Sequence, residues 1–338
     1  MGNYWYANGN FDEAITCWEH SSRLDPGFPT VFRNLALAYY NKVQDSKRAL
    51  TAMETAFALD GADARLLMEL DLLHKLCNYE PWERLRLLES LPELVDQRND
   101  LYLERLTLYN QLGDFETAKA LINARHFQPW EGGEGKIVLQ FCTANVELAK
   151  QAIENGDPAR AIALLNELDV YPDNLGEGKL PGKPENDISY WKGIAYELLH
   201  DAAAARAAFD QAKQGNITPT QAIFYNDPQP DNIFYQAKAW QKTGNEKYAR
   251  AIFENMLVFA KEHLHDKIRI DYFAVSLPEL MVFDQDLDEK NHIHCLYIMG
   301  LAYLGHYEKA LAQECFDKIL AKDSNHIGAI VHKHCNLL

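Results

Sequence analysis

The sequence predicts an all-α fold: a right-handed superhelix of about eight antiparallel helix pairs, with loops inserted between the later pairs. Three observations lead there. A short phrase of Gly, a polar residue, an aromatic residue, two polar residues and Ala keeps returning. Its copies are regularly spaced. Large apolar residues then follow each Ala at intervals that fit one face of a helix.

The phrase is Gly9-Asn10-Phe11-Asp12-Glu13-Ala14, then Gly113-Asp114-Phe115-Glu116-Thr117-Ala118. Proline replaces the aromatic in Gly156-Asp157-Pro158-Ala159-Arg160-Ala161. Weaker copies begin at His200 and Gly244 and end on Ala205 and Ala249. Gly9 and Gly113 lie 104 residues apart, three periods of about 34.7. The next spacings are 43, 44 and 44, so the later pairs look like the same module with some nine or ten residues added. In each pair Gly suits a left-handed turn between two helices. The Ala allows a close crossing, and Phe209 and Ala212, or Phe253 and Met256, continue the same face.

Taken in order, the pairs span about 1–28, 29–61, 62–98, 99–129, 137–172, 186–215, 230–264 and 292–322, and 326–338 reads as a capping helix. Pro26, Pro129 and Pro172 close the first, fourth and fifth, where a helix must stop. The third departs: Asn78-Tyr79-Glu80-Pro81-Trp82 replaces the phrase and no Ala follows. In the eighth, Ala310 and Ala312 compete for the small position. A stacked array of this kind reads as a single domain over 1–338, because a solenoid grows without splitting.

Composition narrows the function classes. The 338 residues carry 33 Lys+Arg against 49 Asp+Glu, a net charge of −16. Such an acidic chain lacks the basic stripe that nucleic acid or an anionic membrane surface requires. Apolar residues make up 47%, enough for a buried core, yet no run reaches the roughly 18 residues of a membrane span. The start, Met1-Gly2-Asn3-Tyr4-Trp5, is unlike a signal peptide. Six dispersed cysteines suggest a reduced, cytoplasmic protein.

Together these small, aromatic and proline positions resemble the tetratricopeptide repeat family, and the resemblance covers nearly the whole chain. Two Gly-rich junctions sharpen it: Trp130-Glu131-Gly132-Gly133-Glu134-Gly135-Lys136, and Tyr171 through Gly178 followed by Lys179. With Tyr272-Phe273-Ala274-Val275-Ser276-Leu277-Pro278, they look like an uncharacterised bacterial family in which such a solenoid follows a β-sandwich resembling galactose mutarotase. That resemblance implies an N-terminal portion beyond this chain that works with the solenoid. It also makes a carbohydrate-active assembly the alternative to a protein-interaction scaffold.

By the family register, Asn3 and Asn34, with Arg33 and Arg65 nearby, fall on groove positions that hold peptide backbones or carboxylates in some relatives. Glu69 stands where a second cation is expected, which weakens a carboxylate clamp. The same register points Tyr190, Trp191, Phe234 and Tyr235 toward the groove, beside Glu147, Lys150 and Lys238. Flat rings with a few charges suit a peptide segment or a sugar. Alternatively, the inserts between the later pairs cover these rings as ordinary packing.

In the junctions, Trp130, Glu131, Glu134, Lys136, Glu177 and Lys179 are the candidate contacts. A phosphate loop is disfavoured because Ile137 and Leu180 stand where Ser or Thr should follow Lys; a wide turn is the simpler reading. The His pairs 263/265, 292/294 and 332/334 are two residues apart, which points them away from each other on a helix and leaves no metal site. No nucleophile stands beside a base. The expectation is a non-enzymatic scaffold, without cofactor, that docks a protein or peptide partner, its own N-terminal domain included.

Overall fold

The structure is a computed structural model and describes residues 1–130, 132–221, 229–269 and 282–338. Helices and their connections make up the described residues, and no strand occurs among them. The chain gathers into two compact units. The first holds Met1–Arg105 with 282–286; the second holds the remaining described residues.

In the first unit run α1 (Gly2–Ala7), α2 (Phe11–Leu24), α3 (Pro29–Ala38), α4 (Ser46–Leu59), α5 (Ala64–Leu76), α6 (Pro81–Glu89) and α7 (Pro92–Val95). A π-helical turn, Tyr39–Val43, continues α3. The boundary falls within α8 (Asn99–Gln111). The second unit continues with α9 (Phe115–Asn123), α10 (Lys136–Glu154), α11 (Pro158–Asn166), α12 (Asn186–Leu198) and α13 (Ala202–Ala212). It ends with α14 (Pro230–Lys242), α15 (Glu246–His263), α16 (Leu287–Gly305), α17 (Lys309–Leu320) and α18 (Ile327–Lys333).

The recurring phrase has a physical meaning at each position. Gly9, Gly113, Gly156 and Gly244 hold the left-handed backbone between paired helices. The Asp after the glycine starts the second helix: Asp114 and Asp157, and Asp201 in the weaker copy, accept hydrogen bonds from the N–H groups of Thr117, Arg160 and Ala204. The Ala five residues on is buried in every copy. Two further copies of the turn lack its glycine, because Gln44 and Tyr307 hold the left-handed backbone there. Ala49 and Ala312 are their small residues, which settles the choice between Ala310 and Ala312. With Asn78 also left-handed, the turns at 9, 44, 78 and 113 lie 34 or 35 residues apart.

A side chain in that backbone region is strained, so the non-Gly turns are improvable. His200, at φ 60° and exposed, offers a clean test. His200→Gly should stabilise the protein by about 0.5–1 kcal/mol, the relief of strain exceeding the added unfolded-state entropy. A urea midpoint that does not rise contradicts this.

The pairs pack by fitting small residues under large ones. Gly193 lies against the ring of Phe209, and Gly300 against Phe316, with no room for a Cβ. The third pair has no such Ala, and α6 instead buries Arg84. Its guanidinium binds Asp71 through two bonds (3.0 and 2.5 Å) and Glu104 through a third (2.8 Å).

Candidate functional site

In the second unit the first helices α10, α12, α14 and α16 pack each on the next, with α11, α13, α15 and α17 as their partners. Glu147, Trp191 and Tyr235 occupy matching positions on α10, α12 and α14, 44 residues apart. Asp187 and Asp231 match one turn earlier, in the first turns of α12 and α14.

These helices bring the second-half candidates together, but not as an open shelf of rings. Tyr190, Trp191, Phe234 and Tyr235 are all at most 2% exposed. Their rings stack edge-on or tilted at 5.1–6.1 Å. The rings are covered as packing and do not line an exposed surface. Part of their cover comes from the chain's own end: α18, expected only as a cap, lays His332 against Phe234 (5.8 Å) and Tyr235 (5.9 Å).

His332 is nearly fully buried and its hydrogen bonds assign its proton. Nδ1 donates to the Gly328 carbonyl (2.9 Å), leaving Nε2 to accept from the Tyr235 hydroxyl (3.2 Å). Burial, with Lys150 nearby, holds its pKa down at about 3. The Tyr297 hydroxyl donates to Asp231, whose carboxyl is pushed up to about 6 by burial and by Asp187. Asp187 is likewise raised by burial. Neither aspartate forms an ion pair with a described residue.

Glu147 and Lys150 pair at 2.5 Å. Burial disfavours the Lys150 ammonium, but Glu147 outweighs it and keeps the lysine charged. That ammonium also lies 5.3 Å from the Trp191 ring centre, while Trp191 Nε1 is buried without a partner among the described residues. Lys238 is buried, sits 5.3 Å from the Tyr307 ring and is lowered by burial to about 8. Glu147, Asp187 and Asp231 remain half-buried.

The Gly-rich junctions interlock. The Glu177 carboxylate accepts from the Gly135 N–H (2.8 Å) at the start of α10. Asn174 donates to the carbonyls of Ile122 (2.8 Å) and Arg125 (2.9 Å) at the end of α9. Gly176, at φ 73°, faces the Phe127 carbonyl, where a Cβ would collide. Lys179 pairs with Glu185 (2.7 Å), and the Trp130 ring covers Gly133. Glu134 and Lys136 are exposed, and Glu131 lies outside the described residues.

In the first unit, Asn3 accepts from Trp18 Nε1 (3.0 Å) and Asn34 (3.3 Å). Arg33 grips Glu69 through two bonds (2.5 and 2.6 Å) and Arg65 adds a third (3.0 Å). Both expected cations thus face one fully buried carboxylate of their own chain.

Burial raises the thiols of Cys142, Cys295 and Cys315 to about 11, the opposite of an activated nucleophile. Among the described residues, no group of three or more His, Cys, Asp or Glu side chains is placed to hold a metal. Nor, among them, is any helix long and apolar enough to cross a membrane.

The chain is similar to several solved structures. A tetratricopeptide repeat protein from Parabacteroides merdae shares 14% identity at a TM-score of 0.39, covering 75% of this chain and 88% of that one. The C-terminal part of a TPR repeat-containing protein from Cytophaga hutchinsonii shares 12% at 0.26, covering 97% and 96%. A thermophilic TPR protein from Thermus thermophilus shares 17% at 0.19, covering 78% and 90%. Values this low lend no function to the chain. The family model described as TPR repeat matches residues 2–43, the stretch from α1 through the π turn.

Proposed function

We propose that this protein is an interaction scaffold whose second unit docks a positively charged segment of a partner protein, in trans or from a further domain of a longer chain. Stacked helix pairs supply a long surface and keep functional groups at fixed intervals. The observation that carries the reading is the matched pair Asp187 and Asp231. Both are half-buried, burial raises both, and Lys150, the cation that acts on both, is already paired with Glu147. An incoming Lys or Arg relieves that penalty while forming charge-assisted hydrogen bonds. The buried rings argue against a sugar, which would need a flat exposed face.

A library of lysine- and arginine-bearing peptides, with charge-reversed controls, tests this by fluorescence anisotropy. Basic peptides should bind, and Asp187→Asn with Asp231→Asn should weaken them about tenfold or more, the scale of one charge-assisted bond. Binding should also weaken as pH falls through about 6, where Asp231 takes up a proton. Equal binding of acidic controls, or no effect of the double variant, removes the proposal.

A further inference from the structure

The end of α3 already holds an extended peptide, and that peptide belongs to the same chain. Asn41 donates from Nδ2 to the Val282 carbonyl (3.0 Å) and accepts at Oδ1 from the Asp284 N–H (2.9 Å). This two-way pairing is what an adjacent β-strand offers, and it reads backbone without regard to sequence. The residue between, Phe283, is 1% exposed and meets Tyr40 edge-on at 5.2 Å. Lys42 then pairs with the exposed Asp284 carboxylate at 3.3 Å.

Three consecutive residues, Tyr40, Asn41 and Lys42, thus serve one ring, one stretch of backbone and one carboxylate. The π turn places them so: its wider winding holds successive side chains where an α-helix would swing each further round. The bound segment comes from 241–243 residues away. It contributes no helix to a unit otherwise built from 1–105. A cavity of about 280 Å³ opens beside the clamp, walled by Lys42 and Val43 on one side and by residues 9–13 on the other.

We propose that this clamp is a peptide-docking site, occupied in cis by Val282-Phe283-Asp284, and that it accepts from a partner protein an extended segment in which an aromatic residue precedes a carboxylate. The cis segment shows the pattern that fits: backbone for Asn41, a ring for the socket and an acid for Lys42. The unfilled cavity next to Lys42 receives residues beyond the acid. This surface lies in the other unit from the Asp187–Asp231 face and prefers the opposite charge, so the two readings stand or fall separately.

The probe is a fluorescent peptide with the sequence of residues 282–286, titrated into the full chain. Wild type binds weakly because its own segment competes. Phe283→Ala should raise the apparent affinity about tenfold or more, since a vacated site no longer reduces the competent fraction. The same peptide with Ala for Phe should not bind, and adding Asn41→Ala should abolish the gain. Asp284→Lys, which leaves the buried ring in place, supplies the second reading should Phe283→Ala fail to fold. It should raise peptide affinity severalfold by repelling Lys42. No gain in either folded variant, or equal binding of the Ala peptide, overturns the proposal.

Discussion

Arg84→Ala should destabilise the first unit by about 3–5 kcal/mol, the usual result of breaking a buried ion pair from one side. The arginine side chain is fully buried, and Asp71, which it binds through two bonds, is 2% exposed. Burial by itself works against the guanidinium, but Asp71 and Glu104 reverse this and raise its pKa. Glu104 shows the same balance: burial pushes it up, while Lys75 and Arg84 prevail and hold it down at about 2. Removing Arg84 leaves Glu104 with Lys75 at 3.0 Å but leaves Asp71 without its partner. Replacing both members, Arg84→Met with Asp71→Leu, should recover most of the loss, because apolar groups of similar volume carry no desolvation penalty. Denaturant midpoints of the two variants decide. A single variant costing under about 1 kcal/mol, or a double variant as unstable as the single, contradicts the account.

Much of the helix-pair order was legible because the turn chemistry repeats. Gly113-Asp114 and Gly156-Asp157 each announce a left-handed turn followed by an N-cap. Where Gln44 and Tyr307 occupy the turn, the same geometry exists without its signal. That Lys150 stands near the Trp191 ring followed from the family register. That the rings are covered did not, because periodicity names a helix face and not the element that lies on it. His332 reaches Tyr235 across 97 positions, and Val282 reaches Asn41 across 241. Asp231 was missed for a related reason: an acid in the first turn of a helix ordinarily reads as a favourable dipole contact. Only the neighbouring Asp187 and the depth of the site make it costly.

His332→Leu should destabilise the protein near pH 7.5 by about 2–3 kcal/mol, and that deficit should shrink to near zero by pH 5. At neutral pH the variant loses the Tyr235 bond and strands the Gly328 carbonyl. The sign of the pH effect follows from the histidine's pKa, which falls from 6.5 to about 3 on folding. Below 6.5 the unfolded chain binds a proton that the folded chain refuses. The stability His332 confers is therefore complete above 6.5 and drains away as pH falls, by about 1.4 kcal/mol per unit. At pH 5 this amounts to roughly 2 kcal/mol lost from the wild type and nothing from the variant. Asp231 acts the other way. Raised from 3.8 to about 6, it takes up a proton in the folded state first, so folding gains as pH falls from 6 toward 4. The two effects oppose each other in the wild type. The difference between wild type and variant cancels the Asp231 contribution and isolates the histidine. Urea unfolding at pH 7.5, 6 and 5 measures it. Stability curves that run parallel across that range mean that His332 is not held neutral in the folded chain.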